Sequence, residues 1–191
     1  MPAERPKHTE ISAGEGNFSV DSGCSAGKNP AVNVEAEKII AALGLAPLPG
    51  EGGWFRPTWR SAAASAIYYL LTADDFSALH RLQANEVWHF YAGAQVEHVR
   101  LAPDAGVGRT TTLGANVLAG EVPQLLVPAG VWQGARLAAD NPCDTSASPG
   151  WALLGCTSTP AWDEKLFELA ERAALLRTFP GAAAHIRAFT R

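Results

Sequence analysis

Between Trp54 and Cys156 the chain is cut into short apolar runs, each closed by Gly, Pro, Asp or Asn and none long enough for an ordinary helix. The runs are Trp54 to Arg60, Ala66 to Leu71, Ala78 to Leu82, Glu86 to Tyr91, Val96 to Leu101, Arg109 to Leu113, Leu125 to Pro128, Trp132 to Leu137 and Trp151 to Cys156. Their β-branched and aromatic side chains suit pleated, half-buried strands, so the spacing predicts an all-β fold with short flanking helices. Pro57 predicts an edge strand or a bulge in the first run. The stretch 104–108 reads as a hairpin connection and 141–150 as a loop. No fixed repeat period is present, which argues against a solenoid or propeller.

The flanks differ from this centre. Residues 1–33 hold Pro, Gly, Ser, Lys and Glu with scattered apolar side chains, a composition that cannot offset the entropy of ordering, so they read as a flexible arm before a single domain at 34–191. Val34, Ile39, Ile40 and Leu43 form a helical stripe that Gly44 is placed to stop. Beyond Pro160 the apolar spacing of Phe167, Leu169, Ala170, Ala174 and Leu175 predicts a carboxy-terminal helix, with Asp163, Glu164, Lys165, Glu168, Glu171 and Arg172 as its solvated face.

Composition narrows the function classes. A net charge of −4 without a Lys/Arg block offers no footprint for nucleic acid or an anionic membrane. Apolar runs stay below the roughly 18 residues that span a bilayer. Three cysteines, Cys24, Cys143 and Cys156, lack metal-site or disulfide-framework spacing. A cytoplasmic protein with a small-molecule partner, or a second copy of itself as partner, is the expectation.

The chemistry concentrates in HRLQANEVWHFYAG, residues 80–93. A short turn around Ala84 and Asn85 separates the strands of His80 and Glu86, so a hairpin is expected to bring them together. By strand parity, a cavity that receives His80 also receives Leu82, Glu86, Trp88 and Phe90, while Val87, His89 and Tyr91 face away. An imidazole and a carboxylate on an aromatic wall can bind a metal or hold shifted pKa values for proton transfer. Arg56 and Tyr69 fall on neighbouring candidate strands as an anion anchor and a hydrogen-bond donor. His89 and His98 read as surface or interface residues. EGG at 51–53 lacks the length and the Lys-Ser/Thr of a phosphate loop and reads as a turn, with Glu51 near the pocket rim.

These motifs resemble the cupin superfamily. His80, Glu86 and Gly93 match its first motif and Pro128-Ala129-Gly130 its second. The ordered set of EGGWFR, SAIYYLL, FSALHRL with NEVWHFYAG, VPAGVWQ and LLGC, from about Leu45 to Phe179, is similar to a small, poorly characterised cupin family. The resemblance implies a double-stranded β-helix, or jelly-roll barrel, usually dimeric, with a pocket in its mouth. Leu82 and Gln133 stand where two of the usual histidine ligands would be. His80, Glu86 and Gln133 are then the candidate ligands for a divalent metal ion. Without metal, His80 as proton carrier and Glu86 as its orienter or as a second acid/base would suit isomerisation or epimerisation of a small polar metabolite such as a sugar derivative or oxo acid, with Arg56, Tyr69, Trp88 and Gln133 shaping the site. A non-catalytic binding module and a metal-dependent oxygenase are the alternatives.

Overall fold

The computed structural model describes residues 33–102, 108–139 and 148–191. The expected arm (Asn33 apart), Cys24, Cys143 and most of the stretches 104–108 and 141–150 lie outside the described residues. The first element is α1 (Val34–Leu43), whose amino end is capped by Asn33 Oδ1 accepting from the Ala36 amide at 3.1 Å. Gly44, at φ 60°, takes the left-handed turn that closes it.

Eleven strands follow among the described residues: β1 (Ala46–Pro47), β2 (Trp54–Arg60), β3 (Ser65–Thr72), β4 (Ser77–Leu82), β5 (Asn85–Gly93), β6 (Val96–Leu101), β7 (Arg109–Leu113), β8 (Gln124–Val127), β9 (Trp132–Leu137), β10 (Trp151–Thr159) and β11 (Phe167–Leu169). They pair antiparallel in two sheets, one of order β1-β2-β3-β10-β5-β8 and one of order β11-β4-β9-β6-β7. Consecutive strands alternate between the sheets at β3 to β4, β4 to β5 and β5 to β6, so the sheets face each other as the two walls of a jelly roll. The predicted bulge is present: the β2–β3 register shifts between Pro57 and Trp59.

Alternation decides which side chains fill the space between the sheets. Tyr69, Leu71, Trp88, Val96, Leu113 and Leu154 meet there as one buried cluster. The opposite parity of the second sheet carries Leu79, Val99 and Leu101 outward, beneath Leu175, Phe179, Ile186 and Phe189 of the carboxy-terminal segment. Both faces of β4 are therefore buried, one by the barrel interior and one by helices.

The carboxy-terminal segment corrects the expectation of one continuous helix. Residues Glu164–Leu166 form a single 3-10 turn, Phe167–Leu169 form β11 on the free edge of β4, and helix begins only at α2 (Arg172–Thr178), followed by α3 (Ala183–Ala188). Phe167 and Leu169 are two residues apart, a spacing that serves a strand as well as it serves a helical stripe, and the unpaired edge of β4 resolves the ambiguity. The charged stripe is divided accordingly. Glu168 pairs with Arg81 across the β11–β4 ladder, Glu171 caps α2, and Arg172 donates from Nε to the Thr190 hydroxyl at 2.7 Å.

Candidate functional site

The site begins at the EGG turn. Gly52 and Gly53 have φ of 100° and 72°, and a Cβ on Gly53 would meet the Tyr69 hydroxyl at 2.6 Å, so both backbone conformation and close approach require glycine. Tyr69 donates from its hydroxyl to the Gly52 carbonyl at 2.7 Å, and Asp75 Oδ2 accepts from the Gly53 amide at 2.7 Å. The turn pinned in this way delivers Glu51 inward. Glu51 Oε1 accepts from the Ser77 hydroxyl at 2.9 Å and lies 3.8 Å from His80 Nδ1.

His80, from β4, is 3% exposed. Its Nδ1 lies 2.8 Å from the Ala78 carbonyl oxygen, which can only accept, so Nδ1 carries a proton and the neutral ring presents an unprotonated Nε2. Phe167 of β11 stacks on this ring, with centroids 5.5 Å apart. Glu86, from β5, is also buried, and Gln133 of β9 donates to its Oε2 at 2.7 Å. Burial is the main cause that pushes the Glu86 carboxyl up to about 7; the Glu51 charge adds to it, while His80 and the Gln133 hydrogen bond pull the other way. Trp88 donates from its indole Nε1 to Gln133 Oε1 at 2.9 Å, which locks the orientation of the amide.

These groups share a cavity of about 460 Å³. His80, Glu86, Glu51, Tyr69 and Trp88 contribute to its lining, and Leu48, Phe55, Pro57, Ile67, Leu82 and Phe167 make much of its apolar wall. Exposed Trp59 and Arg60 and half-exposed Trp162 edge the opening. The expected inward parity of His80, Leu82, Glu86 and Trp88 is therefore observed.

Several expectations are corrected by this geometry. Arg56 does not line the cavity: Phe55 and Pro57 do, so alternation turns Arg56 outward, where its guanidinium sits 5.3 Å above the Tyr68 ring. The bulge after Pro57 then brings Arg60 to the opening in its place. Gln133 stands behind Glu86, outside the cavity lining, and its amide is shared between Trp88 and Glu86. Tyr69 faces the cavity with its hydroxyl committed to Gly52. The expected orienter of His80, Glu86, is not the group bonded to its Nδ1: that is the Ala78 carbonyl, with Glu51 as the carboxylate beside it.

Sequence reasoning also missed His98. It is fully buried on β6 against Trp88, ring centroids 4.9 Å apart, and neither ring nitrogen has a hydrogen-bond partner among the described residues. Burial, with Arg100 and His80 nearby, pushes its pKa down to about 3, although the neighbouring Gln133 amide favours the charged ring. The expectation of a surface or interface position for His98 is thus corrected; its two-residue step from Val96, on the inward face of β6, was the available signal. Trp162 and Phe167 were missed because they were assigned to a helix.

A divalent ion, implied by the cupin motif, is poorly served by these donors. His80 keeps Nε2 available, but the Gln133 oxygen accepts from Trp88 and Leu82 replaces a ligand. Among the described residues no group of three or more His, Cys, Asp or Glu side chains is arranged to hold a metal. The residues present do not fit the usual cupin centre.

Comparison with known proteins agrees with the architecture. A hypothetical protein from Leishmania major is 31% identical, with a TM-score of 0.74 over 81% of this chain and 98% of its own. A protein from Shewanella oneidensis is 33% identical, with a TM-score of 0.72 over 82% of this chain and 97% of its own. Oxalate decarboxylase from Bacillus subtilis shares the fold alone, at 11% identity and a TM-score of 0.50 over 76% of this chain and 37% of its own. No curated protein matches the sequence. The family described as Cupin_5, cupin superfamily (DUF985), matches residues 37–170, and the chain belongs to that family.

Proposed function

We propose that this cupin binds a small carbonyl-bearing metabolite and moves a proton on the carbon next to the carbonyl, as an isomerase or epimerase does. The observation that carries this reading is the pair of groups facing one cavity: a Glu86 carboxyl raised to about 7 and a His80 ring whose Nδ1 is tied to a backbone carbonyl. A carboxyl near neutrality populates both protonation states and can give or take a proton at working pH. The fixed tautomer of His80 leaves Nε2 as the basic atom. The apolar wall excludes water around both, and Glu51 stabilises the imidazolium that forms when Nε2 takes a proton. No step is routed through a metal.

The test is deuterium incorporation, followed by NMR in heavy water, at the carbon adjacent to the carbonyl across a panel of hydroxyketones, aldoses and oxo acids. Wild-type protein exchanges at least one of them, and His80→Ala and Glu86→Gln slow that exchange by a hundredfold or more while keeping the fold. Exchange by wild-type protein that neither variant slows removes both residues from the chemistry. No exchange with any compound sinks the reading in favour of a non-catalytic binding module, a role that the mainly apolar wall also serves. A homodimer remains part of the proposal, and sedimentation of the purified chain decides it.

A further inference from the structure

We infer that the ligand of this cavity has a neutral hydroxy-carbonyl head and an aromatic or alkyl body, with no carboxylate or phosphate beside the reacting carbon. The inference rests on the proton-transfer reading for the position of the reacting carbon and takes the rest from the wall. Two tryptophans stand at the opening with much of their surface in solvent, Trp59 at 54% exposed and Trp162 at 43%. Large apolar side chains exposed beside a cavity mark a surface that an apolar partner covers. Trp162 is held in place, its amide donating to the Ser65 hydroxyl at 2.9 Å, and Trp59 is fixed by pairing with Ala66 after the β2 bulge. Deeper in, Phe55 and Phe167 continue the apolar path to His80. A sugar would stack only its C–H faces on these rings and would leave its hydroxyls against an apolar wall that offers them few hydrogen-bonding partners.

Charge gives the orientation. The lining holds two carboxyls near His80: Glu51, whose Oε1 lies 3.8 Å from His80 Nδ1, and buried Glu86. A ligand carboxylate or phosphate next to the reacting carbon would lie against both, and like charges in a poorly solvated cavity repel strongly. Apart from the titratable His80, the cationic side chain among the described lining residues is Arg60, which is exposed at the opening, while the exposed Glu164 adds a third carboxyl to the lining. An anionic substituent therefore belongs at the far end of the ligand, with the apolar body spanning from Arg60 to the floor. The cavity volume of about 460 Å³ admits a molecule of this kind.

Three probes separate the alternatives. 2-Hydroxyacetophenone carries the neutral head and the aromatic body, phenylpyruvate keeps the body but sets a carboxylate beside the carbonyl, and dihydroxyacetone phosphate keeps the head without the body. Calorimetric titration of the full chain is expected to show 2-hydroxyacetophenone binding at least about tenfold tighter than either of the others. Trp59→Ala and Trp162→Ala, both at exposed positions, each weaken that binding about fivefold or more, and Glu51→Gln narrows the gap to phenylpyruvate. Equal or tighter binding of phenylpyruvate or the phosphate, unchanged affinity in both tryptophan variants, or no binding of 2-hydroxyacetophenone overturns the inference. Calorimetry reads binding alone. Tight binding of the hydroxyketone without deuterium exchange therefore defeats the proton-transfer reading and spares this one, and exchange confined to compounds that carry an adjacent carboxylate does the reverse.

Discussion

Tyr69 acts as a clamp. Its ring lines the cavity, yet its hydroxyl is spent on the Gly52 carbonyl, and burial, with the Glu51 charge next, raises its pKa well above the ordinary phenol value. It therefore stays a neutral donor and holds the turn from which Glu51 enters the site. Removing one partner of a buried hydrogen bond strands the other, so Tyr69→Phe is expected to lower the unfolding free energy in urea by about 1–2 kcal/mol. A change below about 0.3 kcal/mol would show that the turn is held by Asp75 alone. Single residues also explain what was legible in advance. His80, Glu86 and Trp88 face one cavity as parity required, but not through the expected hairpin: β4 and β5 do not pair and belong to opposite sheets, which bring the two residues together across the barrel. Arg56 was misplaced although Arg56, Thr58 and Arg60 alternate with Phe55, Pro57 and Trp59, a pattern that assigns the inside to the Phe55 face.

At the level of elements, the nine central strands could be read because Gly, Pro, Asp and Asn punctuate them, and α1 because its cap and its stop are both written in residues with known backbone preferences. The tail could not be read. Strand β11 has only three residues and exists because β4 offers an unpaired edge, a tertiary cause that no local pattern records. Glu171 then ends that strand and opens α2, accepting from the Ala173 and Ala174 amides at 3.0 and 2.7 Å. Its neighbour Glu168 lies in an ion pair with Arg81 in which both side chains are substantially exposed. Glu171→Ala is expected to cost about 1 kcal/mol of stability through the lost cap, whereas Glu168→Ala costs less than about 0.5 kcal/mol because solvent screens that pair. Equal losses in chemical denaturation would show that the ladder, and not the cap, sets the boundary.

For the molecule as a whole, two buried groups oppose each other in pH. Glu86 binds its proton more tightly folded than unfolded, so the stability tied to it is full below about 4.5 and is lost as pH rises to about 7. His98 behaves in the opposite sense: the unfolded chain takes up its proton near 6.5 and the fold only near 3, so its contribution is full above 6.5 and is lost on acidification. Between about 4.5 and 6.5 the two slopes cancel. Glu86→Gln should expose a rise in stability across that interval and His98→Leu a fall, both read from urea midpoints at stepped pH. Parallel profiles in the two variants would rule out this opposition. The cavity also has an order in time. Its wall joins Glu51 and Trp59 to Trp162 and Phe167, and the Leu79 amide beside His80 is bonded to the Phe189 carbonyl at 2.7 Å. A ribosome releases the first of these long before the last, so a growing chain completes most of its strands while it still has no place to hold a ligand. A complete wall therefore requires synthesis to have passed Phe167, and a ligand that needs the whole wall cannot assist the folding of a shorter product.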